Sequence, residues 1–285
     1  MAAPAEGFVD PAVYAVPLYI VSMIAEGALL RGRAHVGDRR VVGYERRDTM
    51  ASLAMGVGSL LFAGAVQLST YAVSEALWQY RFFDLGNGPL AWALAALAWE
   101  FSFYWHHRWG HEVRILWASH VNHHSSQKFN FSTALRQEWT PFTNLLVYPP
   151  WVLLGMRPSH MALVGGLNLV YQFFLHTELV GKLPKPLEFV LNTPSHHRVH
   201  HASNAGYLDK NYGGSLIVFD RLFGTFVEEK EQVVYGLTKN IESFNPWVIA
   251  WHEYLAVFRE IGRTKGLSKK LRVLVRMPPE VEVEG

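Results

Sequence analysis

The chain has 285 residues, of which 50% are apolar and 18% charged, with 14 histidines and no cysteine. The missing cysteines exclude disulfides, thiolate zinc sites, cysteine-bound iron–sulfur clusters and a cysteine nucleophile. A net charge of +2 with no basic patch interleaved with aromatics argues against a nucleic-acid partner.

Charged residues are unevenly spread, and the gaps between them predict the elements. From 11 to 30 the only charge is Glu26, and from 51 to 105 there are Glu75, Arg81, Asp84 and Glu100 alone. A bilayer core needs about 20 apolar residues per helix, so these stretches predict spans near 11–30, 50–73 and 88–106. No lysine or arginine precedes Arg31, so the first span lacks the basic flank of a signal peptide and is expected to be retained. A fourth apolar region, 141–176, contains Arg157 as its one charge and is broken by Pro149, Pro150 and the Gly155–Pro158 turn. It forms two short spans or a re-entrant hairpin.

The loop 31–47 holds six arginines, whereas 79–88 holds only Arg81. The positive-inside rule places the former in the cytoplasm. Three spans and a hairpin then put every histidine cluster on that same side. The expected fold is an all-α, integral-membrane, multi-pass bundle of four to five spans or hairpin helices, with a cytosolic histidine-rich cap. Residues 1–94 are expected to hold the N-terminal spans and basic loop, 95–255 the catalytic domain and 256–285 a basic tail. Leu216–Phe219 reads as a short strand or a helical turn, and the tail around Lys265–Arg276 as a solvated basic face, with a seat on anionic lipid as the alternative.

Ten of the histidines fall within 106–124 and 196–201. His107 and His111 are four apart, while His120/His123/His124 and His197/His200/His201 repeat an i, i+3, i+4 spacing, so each set shares a helix face. Eight imidazoles on three converging faces predict a site for two metal ions, and His176 is a ninth candidate. His35, His160 and His252 read as ordinary packing or surface residues, and His106 and His196 as structural or supporting neighbours. His111-Glu112 is not followed by the second histidine of a metalloprotease motif, and no paired Glu-x-x-His tetrad of the soluble di-iron bundles occurs. Eight neutral ligands leave metal charge uncompensated, and Glu112, Glu100 and Asp209 are the nearby carboxylates expected to offset it. Histidine ligation at a membrane surface fits oxygen activation, which favours iron. A metal transporter would place its ligands within the spans, whereas these clusters follow span ends.

These residues resemble the fatty acid hydroxylase/sterol desaturase superfamily of integral-membrane di-iron enzymes. The resemblance is carried by the His-x3-His, His-x2-His-His and late His-x2-His-His pattern. It extends through Tyr104–Glu112, His123-His-Ser-Ser126, Ser132-Thr-Ala-Leu-Arg-Gln137, Tyr171–Glu178, Asn192–His201, Asp209-Lys-Asn-Tyr-Gly-Gly214 and Asp220–Phe226. Within the superfamily these words are most similar to the branch that cleaves alkylglycerol ether lipids. Glu112 matches a glutamate characteristic of that branch, and Gln172 stands where some fatty acid hydroxylases carry a histidine. The resemblance implies two iron ions, dioxygen as co-substrate, a lipid substrate, and hydroxylation of the ether-linked carbon with release of a fatty aldehyde. It also implies tetrahydrobiopterin as reductant, although no residue pattern independently marks a pterin pocket. The alternative is a fatty-acid, sterol or carotenoid hydroxylase or desaturase fed by ferredoxin or cytochrome b5.

Overall fold

A glutamate cap starts the longest helix of the molecule. Glu45 accepts from the Arg47 and Asp48 backbone amides, satisfying two of the donors a helix start leaves free. From there α3 (Arg46–Trp78) runs 33 residues, about 50 Å at 1.5 Å per residue. The computed structural model describes residues 10–278; residues 1–9 and 279–285, the outer ends of the expected N-terminal segment and basic tail, lie outside the described residues. Before α3 come α1 (Pro11–Tyr14), α2 (Val16–Leu30) and an antiparallel ribbon, β1 (His35–Val36) paired with β2 (Arg39–Arg40). After it come α4 (Pro89–Glu112), α5 (Arg114–His124) and a 3-10 turn at Thr133–Leu135. The 141–176 region holds α6 (Asn144–Val147), α7 (Pro150–Leu153) and α8 (Pro158–Leu175). The remainder is α9 (Lys185–Val190), α10 (Pro194–His200), α11 (Val218–Phe223), α12 (Pro246–Arg263) and α13 (Leu267–Val275). The protein is therefore mostly α-helical.

Of the three expected spans, α3 alone among the described residues is both long enough and apolar enough to cross a bilayer. The stretch 11–30 breaks at Ala15, because Pro17 supplies no amide for a continuous ladder. The 15 residues of α2 cover about 22 Å, short of a hydrocarbon core of about 30 Å. In α4, Trp99, Glu100 and Trp105 interrupt the alanine–leucine run, and the helix continues past 106 to carry the first histidines. The region 141–176 is one 18-residue helix preceded by two single turns, whose Leu153 carbonyl accepts from the Phe82 amide at 2.8 Å. Leu216 pairs with Leu191 in an isolated bridge, and the chain turns helical at Val218. The expected boundary at 255 falls inside α12.

Two glycines permit close packing of helices on their neighbours. A Cβ on Gly58 of α3 would lie 2.3 Å from Trp139, and one on Gly165 of α8 would lie 2.6 Å from Trp99 of α4. The loop after α5 thereby lies directly on α3, and α8 on α4. Buried charge pairs complete the assembly. Arg136 meets Asp48 of α3 at 2.6 Å, and Arg198 of α10 meets Glu229 at 2.7 Å. Arg114 of α5 meets Glu253 of α12 at 2.9 Å. On its other side α3 exposes Leu60, Leu61 and Leu68, each at least 66% accessible.

Candidate metal centre

The break between α4 and α5 is a single residue, Val113. It folds α5 back so that His107 and His111, on the last turns of α4, face His120 and His124. His200 joins them from α10, giving five buried imidazoles whose ligand atoms lie within 4.8 Å of one another. A second group of four, His123, His176, His197 and His201, meets the same limit. His176 caps α8, so a residue 53 positions from His123 in sequence closes the second group. All nine histidines singled out in the sequence are in these two groups.

Ring orientation is set from outside each group. The Nδ1 of His107 lies 2.8 Å from the Tyr212 carbonyl, that of His123 3.2 Å from the Arg136 carbonyl, and that of His200 3.0 Å from the Lys210 carbonyl. That of His176 lies 2.8 Å from the Gln172 carbonyl. A carbonyl only accepts, so each of these Nδ1 atoms carries the proton. His120 makes the corresponding contact to a carboxylate, Glu138 Oε1 at 2.6 Å. The Nε2 atoms then present bare lone pairs inward. His107 Nε2 faces His120 Nε2 at 3.0 Å, and His176 Nε2 faces His123 Nε2 at 3.2 Å. Burial first, then neighbouring imidazoles, hold His107, His111, His123, His124, His197 and His201 well below the ordinary histidine range, and burial takes His200 down to about 3. Extra protons therefore do not relieve the converging lone pairs. A cation does, and the buried, unpartnered Nε2 atoms of His111 and His200 are further donors for it. These groups could hold metal ions, and an all-imidazole donor set fits iron, zinc, copper or nickel.

The backbone between α10 and α11 sets two of these carbonyl contacts. Asp209 and Asn211 both adopt left-handed φ, +56° and +59°, which is uncommon for residues with a Cβ. Asn211 stabilises it by donating to the His196 and Val227 carbonyls and accepting from the Val227 amide. The result aims the Lys210 and Tyr212 carbonyls at His200 and His107. Asp209 Oδ1 stands 3.4 Å from His111 Nδ1. Burial, then the charge of Glu112, pushes its carboxyl up to about 6.

The carboxylates expected to support the site divide. Asp209 touches His111. Glu112 pairs with Arg108 at 2.9 Å, on the rim of a cavity of about 420 Å³ lined also by Asp209, Lys210 and Thr225. Glu100 instead accepts from Asn168, Ser215 and the Leu216 amide, and none of these is an imidazole. Glu138 went unnoticed in the sequence, since nothing in its spacing distinguishes it from an exposed glutamate. Only the fold brings it to His120. Removing it in Glu138→Ala is expected to weaken metal retention about 10–100-fold, the usual cost of losing an outer hydrogen bond to a ligand. Glu138→Gln keeps an acceptor for Nδ1–H and should lose less; metal content after graded chelation measures both.

The other histidines have ordinary surroundings. His106 Nδ1 meets Thr143 Oγ1 at 2.6 Å, and His196 Nε2 lies 2.8 Å from Glu188. His160 bonds Asn87 at 2.7 Å and stacks on Trp92, His252 Nδ1 meets the Ile249 carbonyl, and His35 is exposed on β1.

Comparison with known proteins adds a second, independent line. The fatty acid hydroxylase family matches residues 92–225. The chain is 43% identical over 237 residues to alkylglycerol monooxygenase of Homo sapiens and 44% identical to that of Danio rerio, covering 81% of this chain and 52% of each relative. It is 31% identical over 135 residues to ornithine lipid hydroxylase OlsE of Rhizobium tropici, covering 45% of this chain and 39% of that protein. The chain spans about half the length of the alkylglycerol monooxygenases it matches. No solved structure matches it significantly.

Proposed function

We propose, from the match of residues 92–225 to the fatty acid hydroxylase family, that the chain is a membrane-bound di-iron monooxygenase of that family that hydroxylates the ether-linked carbon of alkylglycerols. The observation that carries this reading is the pair of imidazole groups with converging lone pairs, in a chain 43% identical to an alkylglycerol monooxygenase. His107, His111, His120, His124 and His200 are assigned to one iron, and His123, His176, His197 and His201 to the other. When bound, the two iron ions supply the activation of dioxygen that a C–H hydroxylation needs.

The chain's own residues do the rest. Backbone carbonyls and Glu138 hold the imidazoles in orientation. Burial of both groups excludes water from the reacting centre. Glu112, beside Arg108 on the cavity next to Asp209, is the carboxylate assigned to the edge of the reaction site. Hydroxylation at the ether carbon yields a hemiacetal, which separates into a fatty aldehyde and glycerol. Tetrahydrobiopterin is the reductant this reading takes from the family resemblance.

The same reading places residues 95–255 as the catalytic domain and the N-terminal helices in the membrane. The exposed leucines of α3 support it, as does the outward face of α2, where Leu18, Val21 and Ile24 are each at least 51% accessible. Such surface is costly in water at about 25 cal/mol per Å² and costs nothing in lipid. In the same reading α2, the first part of α4 and α8 share the apolar layer with α3, α8 packing on both α3 and α4, and the histidine groups lie on the same cytosolic side as the arginine-rich 31–47 loop.

The test is to purify the chain in detergent, count its metal, and supply an alkylglycerol, oxygen and tetrahydrobiopterin. Two irons per chain and fatty aldehyde are expected. Hydroxylated product only with ferredoxin or cytochrome b5 would move the assignment to a fatty-acid, sterol or carotenoid hydroxylase. Zinc with no oxygen uptake under any donor would remove the oxygenase reading altogether.

A further inference from the structure

The last two helices turn apolar faces away from the protein. In α12 the core is met by Ile249, Ala250, Glu253 and Val257. At 100° per residue the opposite side carries Trp247, Leu255 and Phe258, and these are 59%, 50% and 60% exposed. In α13 only Val273 is buried, while Leu267, Leu271 and Val275 form an i, i+4, i+8 stripe facing outward. An amphipathic helix on a water-soluble domain does the reverse.

Charge indicates what covers this surface. From 262 to 278 the chain has six basic residues, Arg263, Lys265, Lys269, Lys270, Arg272 and Arg276, and no aspartate or glutamate; Glu280, Glu282 and Glu284 follow outside the described residues. Among the described residues only Arg276 of these is in an ion pair, with Glu260 at 3.0 Å. A second copy would bring like charges together, so the complementary partner is anionic. Position narrows it further. Trp247, at the start of α12, meets Phe62 of α3 edge-on at 6.2 Å between ring centres and Trp139 at 5.2 Å. The arm thus begins beside the bilayer-length helix, with a tryptophan of the kind that favours the membrane–water boundary.

We propose that α12 and α13 form a monotopic arm lying in the headgroup region of an anionic lipid leaflet. Their apolar stripes enter the acyl boundary, and Lys269, Lys270 and Arg272 meet lipid phosphates. The proposal rests on α3 being in the bilayer and is independent of the metal chemistry.

With no native cysteine, Leu271→Cys gives a single site for a nitroxide label on the full chain. In nanodiscs of phosphatidylcholine with and without phosphatidylglycerol, collision rates with oxygen report lipid, and those with a water-soluble nickel chelate report water. Leu61→Cys on α3 serves as reference. The expected result is an excess of oxygen over nickel collisions at both positions in discs containing phosphatidylglycerol. At 271 that excess is lost without phosphatidylglycerol, or when Lys269, Lys270 and Arg272 are replaced by glutamine; at 61 it is unchanged. Water exposure at 271 with lipid exposure at 61 would overturn the arm and leave α3 in the bilayer. Water exposure at both would overturn the bilayer reading and the arm with it. Shielding from both reagents with spin–spin broadening would assign the face to a second copy. Lipid exposure at 271 indifferent to lipid charge would overturn the anionic partner.

Discussion

Alanine at His200 is expected to remove metal from the five-imidazole group and to lower turnover by more than the roughly 10–100-fold typical of losing an outer hydrogen bond. His200 is buried, its Nδ1 is tied to the Lys210 carbonyl, and its Nε2 has no protein partner. The side chain therefore has one inward donor atom whose only physical use is a cation. Iron counted per chain should fall along with aldehyde formation, while helix content is retained. His35→Ala, on the exposed ribbon, should leave both unchanged. If His200→Ala keeps its full metal content and activity, the assignment of this group is wrong.

The second large effect is expected at Arg136. Its guanidinium is 2% exposed and bonds Asp48 at 2.6 Å, Ser52 at 3.1 Å and Ser125 at 3.0 Å. Its carbonyl meanwhile receives His123 Nδ1. Arg136→Ala leaves the Asp48 carboxylate buried without its counter-charge, a loss of about 3–5 kcal/mol. That should appear as a markedly lower midpoint in detergent unfolding, together with loss of metal from the four-imidazole group. The paired change Arg136→Met with Asp48→Asn removes both charges and should restore much of the stability. A single variant as stable as the parent would show that the pair does not join α3 to the histidine loop.

The two variants test different kinds of information. His200 is legible as a candidate from spacing alone, since i, i+3, i+4 histidines share a face of any helix, but the fold sends it to a different group from His197 and His201. Glu138 and Arg136 are not legible, because their roles exist only once the loop 125–140 has folded back between α5 and α3. Glu100 shows the same limit from the other side. Its position ahead of the first histidines suggested a carboxylate for the metals, yet its place on α4 turns it toward Asn168 and Ser215.

Membrane segments divide along similar lines. Composition located the apolar stretches, and α3 lies where the charge gap predicts, because a run of that length and hydropathy has few other stable conformations. It did not show that Pro17 would leave α2 at 15 residues, nor that 141–157 would form single turns rather than a span. Proline geometry and contacts with the 79–88 loop decide those.

By itself the sequence determined the helical character of the chain and singled out nine histidines as an all-nitrogen candidate donor set, since helix periodicity and donor type are properties of residues and their spacing. The tertiary structure alone decided how the nine divide into groups of five and four, which carbonyls and carboxylate set their tautomers, and which apolar faces of α12 and α13 are left uncovered. Those depend on the one-residue fold-back at Val113, the left-handed turn at Asp209–Asn211 and the buried Asp48–Arg136 pair, which join segments far apart in the chain and leave no local signature.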